Sequence, residues 1–272
     1  MKTLIVSALL ATIGALIAAP IPKESEKLPP PTEKQFEQSR TNLLMLGIAI
    51  HSYHDAMGKM PADIVDKDGK AILSWRVLML PYLEEDALSR AFKLDEPWDS
   101  KANKALVERI PKPLAPIRVN VVKGHTFYRG FNGPDTVFEA GTKQTLVSMT
   151  DGTSNTVMVA EQSGLVGKDD FRNGYFTPWG GTTMSQPLSS MPPGRDMWGM
   201  GLSCVAYANN SKTAAAGANT SYVGNTILNS FHTGGINVLL TDGSVRFLQD
   251  SVDFVTYQRL CTRADGFVAN LP

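Results

Sequence analysis

The sequence predicts an α+β fold. A helical period of apolar residues runs through residues 42–57, whereas β-rich segments separated by turn signals follow Pro113. The 23 glycines and 17 prolines are many for a helical bundle and typical of a chain with numerous turns. For a chain of 272 residues we therefore expect a single α+β domain at residues 32–272, with short helices and a long loop-rich insertion.

The first 19 residues predict a signal peptide or an N-terminal anchor. Lys2 precedes an apolar run over residues 4–19 that ends in small residues, which is the plan of a secretory signal. The uncut run of about 18 residues is near the lower limit for a membrane span, so an uncleaved anchor is the alternative. Five prolines among charged residues then predict an extended tether at residues 20–31. We expect an extracytoplasmic protein: periplasmic, secreted or anchored facing outward.

A helix is predicted from Thr32, which with Gln35 forms a capping box, to Gly58 and Pro61. Apolar residues at steps of three and four predict one buried stripe: Leu43, Leu46, Ile50, Tyr53 and Met57. Further apolar residues widen this surface, so we expect the C-terminal half of the helix to be buried on more than one side: Leu44, Met45 and Ile48.

Three short helices and four strands are predicted next. Ser74 caps a helix from Trp75, Pro81 begins a helical turn near Tyr82, and Asp99 or Ser100 caps a third helix that ends at Arg109. The strand-like segments are 125–131, 155–161, 236–241 and 244–248. Residues 163–230 lack clear periodicity and are interpreted as the insertion or a set of loops.

Two Asp-Gly pairs predict tight turns. Asp242 and Gly243 separate two β-rich segments and are typical of a hairpin, and Asp151 and Gly152 form a turn that leads into a strand. His232, just before the hairpin, has no role in this pattern. A packed or capping histidine is favoured there over a ligand or a catalytic base, since those roles need partners at defined geometry.

Four segments in this order resemble the bacterial family called domain of unknown function 1559 (DUF1559): NLLMLGIAIHSYHDAMGKMP, LSWRVLMLPYLEEDALSRAFKLDEPWDSKANKAL, DGTSNTVMVAE and SFHTGGINVLLTDGSVRFL. The tail LCTRADGFV resembles the end motif of that family. The resemblance implies an exported, pseudopilin-like protein whose long N-terminal helix packs on an antiparallel sheet. It implies no molecular activity.

The sequence departs from that family pattern in two places. It lacks a Gly-Phe-Thr-like prepilin cleavage motif, and prolines at residues 20–31 interrupt the approach to the helix, so assembly into a fibre through that helix is not expected. The segment IPKPLAPIRV lacks the cysteine that family members often carry there, so any disulfide associated with it is absent.

Two groups of residues are candidate metal ligands. His51 and His54 lie three apart on the main helix with Asp55 nearby, but zinc prefers three or four ligands, and ordinary packing is favoured. Hard oxygen ligands lie close together at Asp95, Glu96 and Asp99, and the resemblance to pseudopilins makes calcium the candidate cofactor. No EF-hand spacing is present, so capping and surface charge are favoured for these carboxylates.

No enzyme motif is present: the sequence has no Gly-x-Ser-x-Gly elbow and no phosphate-binding loop. Cys204 and Cys261 are the only cysteines and form a candidate disulfide in an oxidising compartment. Nucleic acid is not an expected partner, because 26 basic and 26 acidic residues balance.

We expect an exported or envelope-attached protein with a structural or binding role and with envelope or extracellular protein partners. The membrane is contacted only through an uncleaved N-terminus. The alternative is an exported solute- or ion-binding protein, or less favourably a hydrolase, that uses loops around His232.

Overall fold

The α+β prediction is confirmed by a computed structural model, which describes residues 32–69, 71–115, 117, 124–126, 128–131, 135–139, 141–161, 177–178, 232, 235–249, 251–252 and 254–269. The helices are α1 (Glu33–Met57), α2 (Trp75–Leu78), α3 (Asp86–Ala91) and α4 (Phe254–Cys261). The strands are β1 (Ile64–Val65), β2 (Ala71–Leu73), β3 (His125–Thr126), β4 (Tyr128–Gly130), β5 (Val157–Glu161), β6 (Thr177–Pro178), β7 (Gly235–Leu240) and β8 (Val245–Gln249).

A four-stranded antiparallel sheet in the order β4-β5-β7-β8 forms the centre of the fold. Val238 of β7 pairs with Ala160 of β5 on one side and with Arg246 of β8 on the other. Two further antiparallel pairs, β1 with β2 and β3 with β6, lie outside this sheet. Strand β6 is the only part of the predicted insertion at 163–230 that falls within the described residues.

The central sheet has one apolar cluster on each face. On one face, Met158 and Val159 of β5 and Leu239 of β7 pack with α1 and the short helices. A second cluster contains Val238 and Leu240 of β7 and reaches the end of α4. Because both faces are covered, β5 and β7 are buried at every residue, which explains their almost continuous apolar sequence.

α1 begins and ends where the sequence predicts. The Thr32 side chain accepts from the backbone N–H of Gln35 and the Gln35 side chain accepts from that of Thr32, while Gly58 ends the helix in the left-handed conformation at φ 65°. Four of the five predicted stripe residues are buried: Leu43, Leu46, Ile50 and Tyr53.

The predicted burial of the other α1 residues is wrong. Met57 is 55% exposed, and Leu44, Met45 and Ile48 are 38%, 44% and 66% exposed. The sheet and the short helices cover only one side of α1, so these apolar residues face outward. No helix among the described residues is long and apolar enough to span a membrane.

The short helices follow the prediction in part. The Ser74 hydroxyl caps α2, and Pro81 lies in the first turn of a 3₁₀ helix at Leu80–Leu83. The third predicted helix is wrong, because residues 101–108 form consecutive turns. Ser100 does accept a hydrogen bond from the backbone of Asn103, at 3.1 Å, but no regular helix follows.

Candidate functional site

A buried polar cluster joins α1 to the central sheet. We call it the Glu161 cluster, and its members are at most 6% exposed: Ser39, Asn42, Tyr128, Glu161, His232 and Asn237. Two come from α1, one each from β4, β5 and β7, and His232 lies shortly before β7. Ionisable groups rarely lie this deep without compensation, so the partners of Glu161 determine what the cluster can do.

The Glu161 carboxylate contacts polar groups in three directions. The Ser39 hydroxyl donates to Oε1 from α1. The backbone N–H of Asn237 donates to Oε2 at 2.9 Å, and the Asn237 side-chain amide lies 3.4 Å from Oε1. His232 Nε2 lies 3.2 Å from Oε1 and 3.1 Å from Oε2. The hydrogen bonds from Ser39 and Asn237 offset the cost of removing the carboxylate from water and fix the position of α1 on the sheet.

Tyr128 extends the Glu161 cluster towards α2. Its hydroxyl accepts from the Asn42 amide at 3.1 Å and lies 3.3 Å from the Ser39 hydroxyl. Burial raises the pKa of Tyr128, and the Glu161 carboxylate raises it further, so the phenol is neutral in the fold. Its backbone carbonyl accepts from Nε and Nη2 of Arg76 at 3.1 and 2.6 Å.

Arg76 is itself fully buried, and this burial lowers its pKa to about 10, against a smaller raising effect of Asp63. The third contact of its guanidinium is the Ser74 hydroxyl, which accepts from Nη1 at 3.0 Å. One residue of β4 is thus held from two sides, by α1 through its phenol and by α2 through its carbonyl.

His232 is held between two aromatic rings. Its ring centroid lies 4.1 Å from that of Phe36 on α1 and 6.1 Å from that of Phe247 on β8. With 2% of its surface exposed, it takes the packed role that the sequence favoured. The neighbouring aromatic rings fix the imidazole against Glu161.

The Glu161 cluster contains a serine, a histidine and a carboxylate but not the geometry of a catalytic relay. A nucleophilic serine needs its hydroxyl hydrogen-bonded to the base, with the acid on the far nitrogen of that base. Here both Ser39 and His232 Nε2 contact the same Glu161 carboxylate. This arrangement is better suited to holding α1 against the sheet than to acyl transfer.

The structure places the two Asp-Gly pairs in turns with different surroundings. Gly243 has φ 85° in the turn between β7 and β8, where the Asp242 side chain accepts from Ser244 N at 2.8 Å. Gly152 has φ 101°, but Asp151 is only 3% exposed. Its carboxylate has partners far away in sequence, described next.

The Asp151 carboxylate binds the backbone of the C-terminal segment. Its two carboxylate oxygens accept from the backbone N–H groups of Asp265 and Gly266 at 2.8 and 3.0 Å. Arg263, in the same segment, donates to Glu139 at 3.0 Å. The end motif of the chain is therefore anchored on the turn that precedes β5.

Neither of the two candidate histidines on α1 forms part of a metal group among the described residues. His54 Nε2 accepts from the backbone of Leu146 at 3.4 Å, and its Nδ1 lies 3.4 Å from Asp55. His51 Nε2 is buried without a hydrogen bond. Within the described part of the chain, no three His, Cys, Asp or Glu residues are grouped so as to hold a metal ion.

In the acidic loop that is the candidate calcium site, a side-chain amide binds the backbone carbonyls. The Asn103 side chain is fully buried and donates to the backbone carbonyls of Lys93, Glu96 and Pro97 at 2.9 to 3.2 Å. Those are oxygens that a calcium ion in this loop would use. The structure does not bring the three carboxylates together as a metal group: Asp95, Glu96 and Asp99.

The candidate disulfide stays a prediction. Cys261 is buried at the end of α4, and Cys204 lies outside the described residues.

Sequence reasoning missed five of the six members of the Glu161 cluster. One signal was available, since Glu161 ends the apolar run VMVA and Asn237 interrupts INVLL. A polar residue within an otherwise buried strand needs a partner. Ser39 and Asn42 carry no such signal, because polar residues are ordinary on a helix that is exposed on one side.

The segments that build this site match one protein-family model, described as "Protein of unknown function (DUF1559)", over residues 37–119 and 115–255. The chain belongs to this family. The matched residues of this DUF1559 protein include every member of the Glu161 cluster, whereas the Asp265 and Gly266 contacts to Asp151 lie beyond them. No curated protein and no solved structure matches the chain.

Proposed function

We propose that this DUF1559 protein is an exported, pseudopilin-like protein of the cell envelope with a structural or binding role. The observation that carries the proposal is the attachment of α1 to an antiparallel sheet through the buried Glu161 cluster. This attachment holds α1 against one face of the sheet, while the outward side of α1 offers apolar surface to a protein partner.

Export is supported by the order of segments before α1. Lys2 and the apolar run at residues 4–19 have the plan of a secretory signal, and the proline-rich residues 20–31 separate that run from the capped start of α1. This order suits a headpiece held at a distance from a membrane, or released from it.

The test is mass spectrometry of the mature N-terminus in the native host, combined with separation of membrane, extracytoplasmic and cytoplasmic pools. A cut near Ala18 or Ala19 with soluble extracytoplasmic protein indicates a released factor. An intact N-terminus in the membrane pool with a protease-accessible headpiece indicates an anchored one. An intact N-terminus confined to the cytoplasm would refute export. A variant that lacks residues 4–19 is the matched control and should remain in the cytoplasm.

The competing hypothesis of a ligand site around His232 gains no support from the described geometry. His232 Nε2 already lies on the Glu161 carboxylate, and the imidazole is packed against Phe36. A solute that reached this imidazole would have to displace those contacts. Apart from residues 177–178, the loops at 163–230 that this hypothesis also invokes lie outside the described residues.

A further inference from the structure

The outward side of α1 carries an apolar patch between polar ends. Ile48 is the most exposed of its apolar residues, at 66%, and Leu44 and Met45 beside it are 38% and 44% exposed. Towards the N-terminus this side continues with exposed Arg40 and Thr41; towards the C-terminus it continues with half-buried Ser52 and exposed Asp55. A patch of this kind on a capped, well-formed helix indicates a contact surface.

We propose that this side of α1 binds the same side of α1 in a second copy of the chain, antiparallel and with the twofold axis at Ile48. This inference goes beyond the proposed function, because it identifies a particular partner for one surface. The argument rests on self-complementarity: in an isologous contact the same patch must fit itself.

The order of residues along the exposed stripe fits an antiparallel pair. Residues 41, 44, 48, 52 and 55 follow at steps of three and four and therefore share one side of the helix. If Ile48 meets Ile48, Leu44 lies opposite Ser52, and Thr41 lies opposite Asp55. The apolar contacts then fall at the centre and the polar residues at the rim, as in protein interfaces generally.

Charge favours the antiparallel arrangement over the parallel one. Antiparallel pairing brings Arg40 of each copy beside Asp55 of the other, so two opposite-charge pairs form. Parallel pairing in register would set Arg40 against Arg40 and Asp55 against Asp55. Arg40 is exposed and has no ion-pair partner among the described residues, and the Asp55 side chain is 82% exposed with a contact only to His54. Both are available for such pairs.

The interface is narrow, so the association is expected to be weak. A 25-residue helix is about 37 Å long, and only its central turns carry apolar residues. Contacts that fall below the size of a standard interface are typical of weak, transient association. Because the two rim pairs are solvent-exposed, high salt should weaken the dimer further.

Cysteine cross-linking in the native host tests the arrangement on the full chain. Two differently tagged copies are co-expressed, one with Leu44→Cys and the other with Ser52→Cys, and are treated with a short bifunctional maleimide. Antiparallel pairing predicts a cross-linked product that carries both tags. It predicts much less product from Leu44→Cys or Ser52→Cys expressed alone. Leu44→Cys with Lys67→Cys is the matched control, and the wild type reports the native cysteines.

A product from each single variant alone would show a parallel contact and overturn the proposal, as would the absence of product in every combination. The outcome is independent of the proposed function. A chain found in the cytoplasm that still gives the mixed product would refute export and leave the dimer standing.

Charge exchange provides a second test on the purified protein. Arg40→Asp and Asp55→Arg should each raise the dimer dissociation constant at least about tenfold in sedimentation velocity, and the double variant should restore most of the affinity. A chain that is monomeric at every concentration, with Ile48→Asp lowering its unfolding temperature, would show that its own residues cover this face. That result would overturn the proposal.

Discussion

The Ser39 hydroxyl of α1 donates a hydrogen bond to the Glu161 carboxylate of β5, across 122 residues of sequence. Because Glu161 is also contacted by Asn237 and His232, one side chain connects α1, β5, β7 and the segment before β7. Apolar packing between helix and sheet is non-directional, whereas hydrogen bonds to a buried carboxylate require defined positions. The Glu161 cluster therefore sets the position of the helix on the sheet.

Replacing Glu161 by glutamine tests this role with almost no change in volume. The amide keeps one acceptor oxygen but turns an NH₂ group towards donors that now lose their acceptor. We expect Glu161→Gln to lower the free energy of unfolding by about 1–3 kcal/mol in urea titrations. Glu37→Gln, at an exposed position of α1, is the matched control and should not change stability measurably. Equal stability of the two variants would contradict the inference that Glu161 holds α1 against the sheet.

Tyr128 makes stability depend on pH in the alkaline range. Its pKa in the fold is raised above the ordinary tyrosine value of 10.0, mainly by burial, so the folded chain keeps this proton where the unfolded chain loses it. The resulting stability is fully present below pH 10 and declines as the pH rises above it.

Comparison of the wild type with Tyr128→Phe isolates this effect, since the other titrating groups are common to both proteins. Between about pH 8 and about pH 11, the free energy of unfolding of the wild type should fall by about 1 kcal/mol relative to that of Tyr128→Phe. Urea titrations at the two pH values measure it. A difference that stays constant would mean that Tyr128 ionises equally in both states.

The features that the sequence predicts well depend on neighbours along the chain. The Thr32 capping box, the left-handed Gly58 and the turn between β7 and β8 each involve residues within a few positions of one another. The predictions that are wrong concern what covers a surface. Ile48 is apolar and suits a buried helix side, but its burial depends on which side the sheet occupies.

The Glu161 cluster could not be predicted for the same reason. Its members come from five separate parts of the chain, and Ser39 and Tyr128 are 89 residues apart. Residue type indicates that Glu161 needs partners but not which ones. The contacts of Asp151 show a similar limit, because the Asp-Gly pair predicts its local turn and gives no sign of the distant backbone N–H groups that it accepts from.

Substitution of glycine by alanine is expected to have different effects at Gly235 and at Gly47, because their surroundings differ. A Cβ on Gly235 would lie 2.2 Å from the carbonyl oxygen of Leu248 and 2.7 Å from the Phe247 ring, so Gly235→Ala must separate β7 from β8. A Cβ on Gly47 would lie 3.0 Å from one methyl group of Leu239, which is a movable side-chain end.

We expect Gly235→Ala to destabilise the fold by about 1–3 kcal/mol or more, as overpacking does. Gly47→Ala should be close to neutral, because alanine gains about 1 kcal/mol of helix propensity against the small shift of Leu239. Thermal unfolding followed by circular dichroism measures both. A larger loss for Gly47→Ala than for Gly235→Ala would contradict the packing described for α1 on β7.

Asp151→Asn tests whether the end motif is anchored as the structure shows. Both carboxylate oxygens accept backbone N–H groups, from Asp265 and Gly266, and an asparagine retains only one acceptor. Hydrogen bonds to a charged acceptor contribute about 1.5–3 kcal/mol, so local opening of the segment should become markedly easier. Hydrogen exchange measured by mass spectrometry should show faster exchange over residues 262–269, with β5 and β7 changed much less.

Asp242→Asn is the matched control for this experiment. Asp242 also precedes a glycine with positive φ, but it is exposed and its carboxylate accepts only within its own turn, from Ser244 N. Asparagine suits such a turn as well as aspartate does, so exchange at 262–269 should stay at the wild-type rate. Equal acceleration of that segment by both substitutions would show that any loss of charge loosens the C-terminus. Acceleration by Asp151→Asn alone ties the end motif to this one carboxylate.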